Sequence, residues 1–302
     1  MAATQSPDAS SRAFVVAGCG YAGARVAARL TKKGRVIGIT RVPRAFRFEA
    51  PFGFDMVTWD FDSDRTGRLP QSGTAPFDVI YLVPPPASGS TDPRIARFLD
   101  ALPANPARFV YIGTTGVYGD AGGGTVNEDT PPAPATDRAR RRLSAENVLR
   151  AWCEPRGVEW VILRVPGIYG PGRLPIERLR RGEPALAEAE AGPGNRIHVD
   201  DLADACVAAL LKPEARNRIY NVGDGDHMTN TAFLSCVARL AGLTPPPQLP
   251  LAELKAHRSE TALSFLGESR RVDTSRLRQE LGFTPRYAIP EQGIQASLTG
   301  AS

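Results

Sequence analysis

Three glycines near the amino terminus have the spacing of a phosphate-binding turn. An apolar run, 14–17, leads into Gly18, Gly20 and Gly23, and an apolar helical pattern follows. In such a turn the first glycine permits a tight bend, the second lets the backbone approach a pyrophosphate, and the third lets the helix pack closely on the strand. The unpaired N–H groups at the start of the helix then face the phosphates. The pattern predicts a dinucleotide site, with an ordinary glycine turn as the alternative, and its residues are Gly18, Gly20, Tyr21, Ala22 and Gly23.

Basic residues after the second apolar strand indicate which dinucleotide this site prefers. NAD sites usually place a carboxylate here for the ribose 2′-hydroxyl, whereas NADP sites place a cation for the 2′-phosphate. In this chain Thr40 and Arg41 are followed by Arg44, and the first acid is Glu49. A guanidinium binds phosphate oxygens in pairs. We therefore expect Thr40, Arg41 and Arg44 to bind NADP(H) in preference to NAD(H), with a solvated basic loop as the alternative.

Composition is consistent with a globular enzyme. The chain has 302 residues, 42% of them hydrophobic, which is sufficient for a large core. Its four cysteines show neither disulfide nor metal-ligand spacing, so we expect reduced thiols, a cytoplasmic location and no metal site. The net charge of +5 is modest, and no nucleic-acid motif accompanies the basic run 138–142. No apolar run reaches membrane-spanning length, so we expect no membrane partner. The expected partner is a small-molecule substrate. The oligomeric state stays open.

Strand and helix patterns alternate along the chain, as a parallel, doubly wound α/β sheet requires. The predicted strands are 14–17, 35–40, 56–59, 78–83, 108–112, 159–165 and 218–222, and the main predicted helices are 24–30, 95–102, 138–153 and 197–211. An aspartate of the pair Asp200 and Asp201 is expected to cap the last helix. Between 166 and 195, glycine, proline and charged residues dominate, which is typical of an insertion facing substrate.

Three further segments extend the pattern beyond the glycine turn. They are 111–119 (YIGTTGVYG), 163–172 (LRVPGIYGPG) and 197–201 (IHVDD). Taken in this order with the glycine turn, they resemble the extended short-chain dehydrogenase/reductase family of the NAD-dependent epimerase/dehydratase type. The resemblance implies a Rossmann-type sheet followed by a smaller, interleaved carboxy-terminal substrate lobe. The implied domain division is a loose tail at 1–12, a Rossmann domain at 13–165 completed by 196–223, and a substrate lobe formed by 166–195 and 224–302.

The resemblance also implies further cofactor and substrate contacts. The end of the third strand would hold the adenine, the end of the fourth would line the nicotinamide ribose, and the segment after the sixth would flank the nicotinamide amide. In that order the residues are Asp60 and Phe61; Val83, Pro84 and Pro85; and Pro166 and Ile168. Substrate contacts are implied for Tyr169, Arg173 and His198.

The catalytic positions are where this chain departs from the family. The family pattern has a Ser or Thr four residues before the Tyr of the Val-Tyr-Gly segment, and Thr114 precedes Tyr118 by four. It also has a Tyr and a Lys four positions apart on the next helix, and here these positions fall on Arg138 and Arg142. The chain therefore resembles an atypical branch of the family that lacks the usual tyrosine.

The two arginines change the chemistry that this site can perform. A guanidinium stays protonated at any relevant pH, so it cannot pass a proton as a tyrosine phenol does. It could still bind an oxyanion, a carboxylate or a phosphate. In the alternative, Arg142 pairs with Glu146 one turn on and Arg138 is solvated. The remaining candidate proton carriers are Thr114, Tyr118 and Tyr169, with His198 more distant.

Three functions are consistent with these residues. The first is an NADP(H)-dependent oxidoreductase or epimerase-like enzyme acting on a small polar or sugar-like substrate, with Thr114 holding the reacting oxygen. The second is a non-redox isomerase or cyclase that keeps the nucleotide structurally and uses Arg138 electrostatically. The third is a regulatory protein that senses NADP without catalysis. A change in nicotinamide absorbance during turnover would separate the first from the other two.

Overall fold

A computed structural model describes residues 12–41, 53–63, 76–257 and 268–300 of the chain. We number the strands β1 to β13 and the helices α1 to α9 in chain order. The strands are Ala13–Ala17, Arg35–Thr40, Asp55–Thr58, Phe77–Tyr81, Arg108–Ile112, Thr125–Val126, Glu159–Arg164, Gly167–Tyr169, Ala185–Leu186, Arg196–His198, Arg218–Asn221, Gln248–Leu249 and Arg271–Val272. The helices are Tyr21–Leu30, Pro93–Asp100, Asp137–Cys153, Ile176–Arg180, Val199–Leu211, Asn230–Leu240, Leu251–Leu254, Ser275–Leu281 and Pro290–Thr299.

Seven strands form one sheet in the order β11-β7-β5-β4-β1-β2-β3. Neighbouring pairs from β7 to β3 are parallel. Every residue of β1, β4 and β5 is buried, as expected of parallel strands covered on both faces. Chain order reverses between β1 and β4, and in such sheets ligands bind outside the carboxyl ends of the strands at this switch point. The predicted Rossmann-type α/β fold is confirmed, and the switch point coincides with the glycine turn.

An aromatic cluster fills the core of the sheet near the ends of β3, β4 and β5. Trp59 stacks on Phe61 with ring centroids 4.7 Å apart, and Tyr81 lies 5.2 Å from Phe98 and 6.1 Å from Tyr111. Such pairs contribute roughly 0.5 to 1.5 kcal/mol each beyond their buried area. The loops that follow these strands are therefore anchored by aromatic packing at the strand ends.

The described chain forms two compact units. The first comprises the described residues within Met1–Gly113, Arg140–Leu163 and Ala203–Tyr220, and the second those within Thr114–Ala139, Arg164–Leu202 and Asn221–Ser302. These boundaries differ from the implied domain division, since 114–139 joins the second unit, and that division stays a prediction. No helix in the described part of the chain has the length and apolar character needed to cross a membrane.

Three local expectations differ from the structure. The helix predicted from 197 begins at Val199, and the residues before it form β10, paired in parallel with β8. The predicted aspartate cap is wrong: Nδ1 of His198 accepts the N–H of Asp200 at 3.2 Å. The carboxylate of Asp201 instead accepts the N–H groups of residues 286 and 287, both at 2.9 Å. The stretch 166–195 is also more regular than expected, because it contains β8, α4 and β9.

Candidate functional site

Gly18 and Gly23 are required by close packing at the end of β1. Gly18 has a φ of +84°, which side-chain-bearing residues rarely adopt, and a Cβ there would lie 2.8 Å from the carbonyl carbon of Leu82 and from the nitrogen of Val83. A Cβ on Gly23 would lie 2.3 Å from the carbonyl oxygen of Gly18. Both approaches are closer than real Cβ contacts allow. These two glycines therefore set the tight turn and bring α1 against the end of β1.

Gly20 has a different position, at the N-cap of α1. Its φ is −103° and its ψ is −146°, and no side-chain hydrogen bond caps this end of the helix. No acidic residue lies in the first turn, which begins with Tyr21 and Ala22. The first N–H groups of an α-helix lack partners within the helix and attract anions. The turn thus presents uncapped N–H groups beside a residue without a side chain, an arrangement that fits a pyrophosphate.

Cys19 lies inside the glycine turn but is not a reactive thiol. Its side chain is buried, and this burial raises the pKa of the thiol to about 12. A thiol that stays protonated is neither a good nucleophile nor a good metal ligand. Cys19 is therefore a packing residue of the turn.

Arg41 follows β2 directly and is exposed. Thr40, the last residue of β2, pairs with Thr58 of β3, so the two strands end side by side. The structure thus places Thr40 and Arg41 beside the loop that follows β3. Arg44 lies outside the described residues.

The loop after β3 contains the two residues implied to hold the adenine. Asp60 is exposed, and its carboxylate accepts the N–H of Asp62 at 3.1 Å. Phe61 is buried in the aromatic cluster, and its carbonyl oxygen accepts Nη1 of Arg97 at 2.9 Å. Asp60 is thus available to a ligand through its exposed carboxylate, whereas Phe61 contributes mainly backbone.

Arg94, the second residue of α2, joins two of the loops at this edge of the sheet. Its Nε donates to Asp62 at 2.6 Å, its Nη2 holds the second oxygen of the same carboxylate, and its Nη1 donates to the carbonyl of Pro84 at 2.7 Å. The ion pair lowers the pKa of Asp62. Sequence reasoning missed Arg94 because the predicted helix began one residue later. Its signal was the spacing of Arg94 and Arg97, which face the same loop from one side of α2.

The segment after β4 contains the residues implied to line the nicotinamide ribose. Val83 is buried beside Gly18, Pro84 is exposed, and Pro85 is half-buried. Farther along this loop, Nη1 of the buried Arg141 donates to the carbonyl of Gly89 at 2.5 Å. The loop is therefore held from both helices that border it, by Arg94 of α2 and Arg141 of α3.

Arg142, which the resemblance places at the family's lysine position, is directed into the first unit. Its Nη1 donates to the carbonyl of Ile112 at 3.0 Å and to the hydroxyl of Tyr111 at 3.4 Å. Burial raises the pKa of Tyr111 to about 12, while the charge of Arg142 acts in the opposite direction. Arg142 therefore supports the carboxyl end of β5, two residues before Thr114.

In the second unit, Thr114 remains accessible. It is half-buried, and its Oγ1 accepts the N–H of Gly116 at 3.2 Å, which caps the short 3-10 helix Thr115–Tyr118. As an acceptor in that bond, the hydroxyl keeps its own proton for donation. Arg138 is half-buried in the first turn of α3, next to Ala139, whose N–H is accepted by Thr136 at 3.2 Å.

Tyr118 is buried, and its hydroxyl already forms a hydrogen bond within the protein. The hydroxyl donates to Oδ1 of Asn221 at 2.8 Å, and the guanidinium carbon of Arg164 lies 4.8 Å from the ring centroid. Asn221 in turn donates its backbone N–H to Glu128 at 2.8 Å. Burial raises the pKa of Tyr118. A phenol in this setting supports the fold of the second unit, and nothing in its geometry favours proton transfer to a substrate.

Two of the three implied substrate residues belong to the core of the second unit. Tyr169 and His198 are buried and meet edge to face, with ring centroids 5.3 Å apart. Nε2 of His198 lies 3.2 Å from Oγ of Ser297, and its Nδ1 accepts the N–H of Asp200. Burial raises the pKa of Tyr169 well above its usual range. Arg173 is exposed, so it alone of the three is directly accessible.

The segment 166–169 follows β7. Pro166 and Ile168 are both half-buried, and Ile168 lies in β8 opposite Ile197 of β10. Their implied contact with the nicotinamide stays a prediction. Within the described ranges, no three His, Cys, Asp or Glu side chains are grouped as a metal site would require.

A buried carboxylate, Asp224, gives the second unit a pH-dependent stability. Asp224 is 2% exposed, and its Oδ1 accepts the N–H of Asp226 at 3.0 Å. Burial raises its pKa to about 7, and the charge of Asp226 adds to this, whereas Arg196 opposes it. A folded-state pKa above the unfolded value of about 3.9 means that this stability is present at low pH and is lost as the pH rises through 7.

We therefore expect Asp224→Asn to gain stability relative to the unmodified protein as the pH rises. Between pH 4.5 and pH 8 the difference in free energy of unfolding should change by roughly 2 to 4 kcal/mol in favour of the variant. Denaturant unfolding of both proteins across this range gives the measurement. Asp226→Asn, at a neighbouring carboxylate, is the control and should show a smaller change. A difference independent of pH would contradict the assignment.

Comparison with known proteins identifies the family. The sequence model of the NAD-dependent epimerase/dehydratase family matches residues 13–223 of this chain. The chain belongs to this family. The matched region runs from β1 through the end of β11 and so includes the glycine turn, Thr114 and both arginine positions.

Individual relatives are distant. The chain is 26% identical over 314 residues to a dTDP-6-deoxy-L-talose 4-dehydrogenase (NAD(P)(+)) from Kitasatospora kifunensis, covering 94% of this chain and 93% of that protein. It is 27% identical over 192 residues to a dTDP-glucose 4,6-dehydratase from Streptomyces niveus, covering 61% of this chain and 54% of that one. The chain spans only about half the length of the first curated relatives that it matches.

A solved structure of a conserved protein from Silicibacter pomeroyi DSS, described as functionally unknown, is similar along nearly its whole length. The TM-score is 0.83 at 28% identity, covering 97% of this chain and 99% of that chain. The overall architecture is therefore shared, while the substrate has to be argued from the site.

Proposed function

We propose that this protein is an NADP(H)-dependent oxidoreductase or epimerase-like enzyme that acts on a sugar-like substrate of the nucleotide-linked deoxysugar class. The observation that carries the proposal is the glycine turn at the switch point of the sheet. There Gly18 and Gly23 leave no room for a Cβ, and α1 begins without a side-chain cap. The names of the distant relatives support the substrate class.

Residues of the first unit fit the parts of a dinucleotide. The turn from Gly18 to Gly23 would hold the pyrophosphate, Asp60 the adenine, Arg41 the 2′-phosphate, and the segment Val83 to Pro85 the nicotinamide ribose. Bound NADP(H) supplies the hydride donor or acceptor. The contribution of the chain is a fixed set of loops, since Arg94 and Arg141 hold the backbone of the β4 loop in place.

Thr114 is the proposed proton-handling and oxygen-binding group. Of the hydroxyl and imidazole candidates, Tyr118, Tyr169 and His198 are buried, whereas Thr114 is half-exposed. Its hydroxyl can donate to a reacting oxygen as negative charge develops there. Arg138 would hold an anionic part of the substrate, because its charge is fixed.

We expect Arg41→Ala to weaken NADPH binding by about ten- to a hundredfold and to leave NADH binding nearly unchanged, since a charge-assisted bond to phosphate contributes roughly 1.5 to 3 kcal/mol. Calorimetric titration of both nucleotides measures this. Arg216→Ala, at another exposed arginine of the same unit, is the matched control. Equal losses for the two nucleotides would remove Arg41 from the 2′-phosphate site.

A further inference from the structure

Arg94 forms a bidentate ion pair with Asp62 at the edge where the nucleotide loops meet. Arg94 is only 9% exposed, while the side chain of Asp62 is 46% exposed. The third donor nitrogen of Arg94, Nη1, donates to the carbonyl of Pro84. One guanidinium thus fixes the carboxylate of the β3 loop and the backbone of the β4 loop together. Bidentate pairing of this kind fixes both the position and the orientation of the Asp62 carboxylate.

A second cation lies within electrostatic range of the same carboxylate. Arg41 follows β2, whose last residue, Thr40, pairs with Thr58 at the end of β3. Arg94 makes the largest contribution to the lowered pKa of Asp62, and the charges of Arg41 and Arg97 contribute too. Nη1 of Arg97 donates to the carbonyl of Phe61 at 2.9 Å. The structure pairs Asp62 with Arg94, and Arg41 is a second cation that could neutralise it.

We propose that Arg94 is a specificity-determining residue that favours NADP(H) over NAD(H) by occupying the Asp62 carboxylate, which leaves Arg41 for the 2′-phosphate. This inference rests on the proposed NADP(H) site. Without Arg94, Asp62 would attract Arg41 and would also repel an incoming phosphate, because like charges at short range oppose binding. NADH carries no 2′-phosphate, so neither effect applies to it.

A purely structural role for Arg94 predicts something different. If Arg94 only held the two loops in place, its loss would weaken NADPH and NADH binding by the same factor. The ratio of the two dissociation constants separates the alternatives, because loop positioning cancels in the ratio and the charge of Asp62 does not. Arg141 provides the matched control, since it also donates from a buried guanidinium to a carbonyl of the β4 loop.

The experiment is a calorimetric titration of NADPH and NADH into the full chain and four variants, with circular dichroism to check folding. The variants are Arg94→Met, Asp62→Asn, the double variant of these two, and the control Arg141→Met. Arg94→Met should lower the preference for NADPH by about tenfold, and the double variant should restore it to within about threefold of the unmodified protein. Arg141→Met should weaken both nucleotides equally. Asp62→Asn alone should keep or increase the preference, which provides a test if Arg94→Met does not fold.

The outcomes distinguish failure of the proposed cofactor from failure of the proposed role of Arg94. An unmodified protein that binds NADPH and NADH equally contradicts the proposed cofactor, and the inference with it. An unmodified protein that prefers NADPH, together with an unchanged ratio in Arg94→Met, overturns only the role of Arg94. A preference that falls in Asp62→Asn would also overturn it, since the acid would then be supporting phosphate binding.

Discussion

A Gly20→Val variant should fold normally and lose binding of both NADPH and NADH by at least about a hundredfold, because the added side chain would lie where the pyrophosphate meets the uncapped start of α1. Gly20 has a negative φ of −103°, so its backbone is not in the left-handed conformation that favours glycine. We therefore expect the substitution to leave the turn intact, unlike a substitution at Gly18 or Gly23. Circular dichroism and calorimetric titration give the two measurements.

The control for this variant is Ala28→Val, which adds similar bulk to an exposed position of the same helix. It should bind both nucleotides as the unmodified protein does. A folded Gly20→Val protein with normal affinity would show that the pyrophosphate does not lie against this glycine, and the turn would then be only a structural feature.

Thr114 and Arg138 should affect different kinetic steps. Thr114→Val should slow the chemical step by roughly a hundred- to a thousandfold, as loss of a donor to a developing oxyanion does. Arg138→Ala should mainly raise KM, since a fixed cation holds an anionic substrate equally in the ground and transition states. The measurements are kcat and KM with a dTDP-linked keto-deoxysugar and NADPH, plus single-turnover rates to isolate the chemical step.

Thr114→Ser is the matched variant for the hydroxyl. It keeps the bond to the N–H of Gly116 and should retain activity to within about tenfold. Thr114→Val loses that cap and with it about 1 kcal/mol of stability, so melting curves must accompany the kinetics. A large loss in the chemical step for Arg138→Ala, with unchanged substrate affinity, would refute the binding role. It would favour a non-redox isomerase in which this arginine stabilises the transition state.

The fold was predictable because its signals are local. The apolar runs that became β1, β4 and β5 are buried on both faces, so continuous hydrophobicity predicted them directly. The roles of Gly18 and Gly23 follow from sterics that any sequence with this spacing must satisfy. For the seven strands of the main sheet the errors lie at the ends, as with β4, which ends at Tyr81 rather than Val83. The six short strands outside this sheet were not predicted.

The side-chain environment of the site was less predictable, because it depends on contacts between residues far apart in sequence. The hydroxyl of Tyr118 donates to Asn221, which lies more than a hundred positions away in the sequence. His198 caps α5 through its ring, whereas residue-type preferences favour the neighbouring aspartates as caps. Arg94 pairs with an acid 32 positions earlier in the chain, so its importance could not be inferred from neighbouring residues.

Binding of NADP(H) by the first unit at the glycine turn is tested by a calorimetric titration of the unmodified full chain with NADPH and, in parallel, with NADH. We expect one NADPH to bind per chain, about tenfold or more tighter than NADH. If neither nucleotide binds, or if NADH binds more tightly than NADPH, the proposed NADP(H) site is wrong.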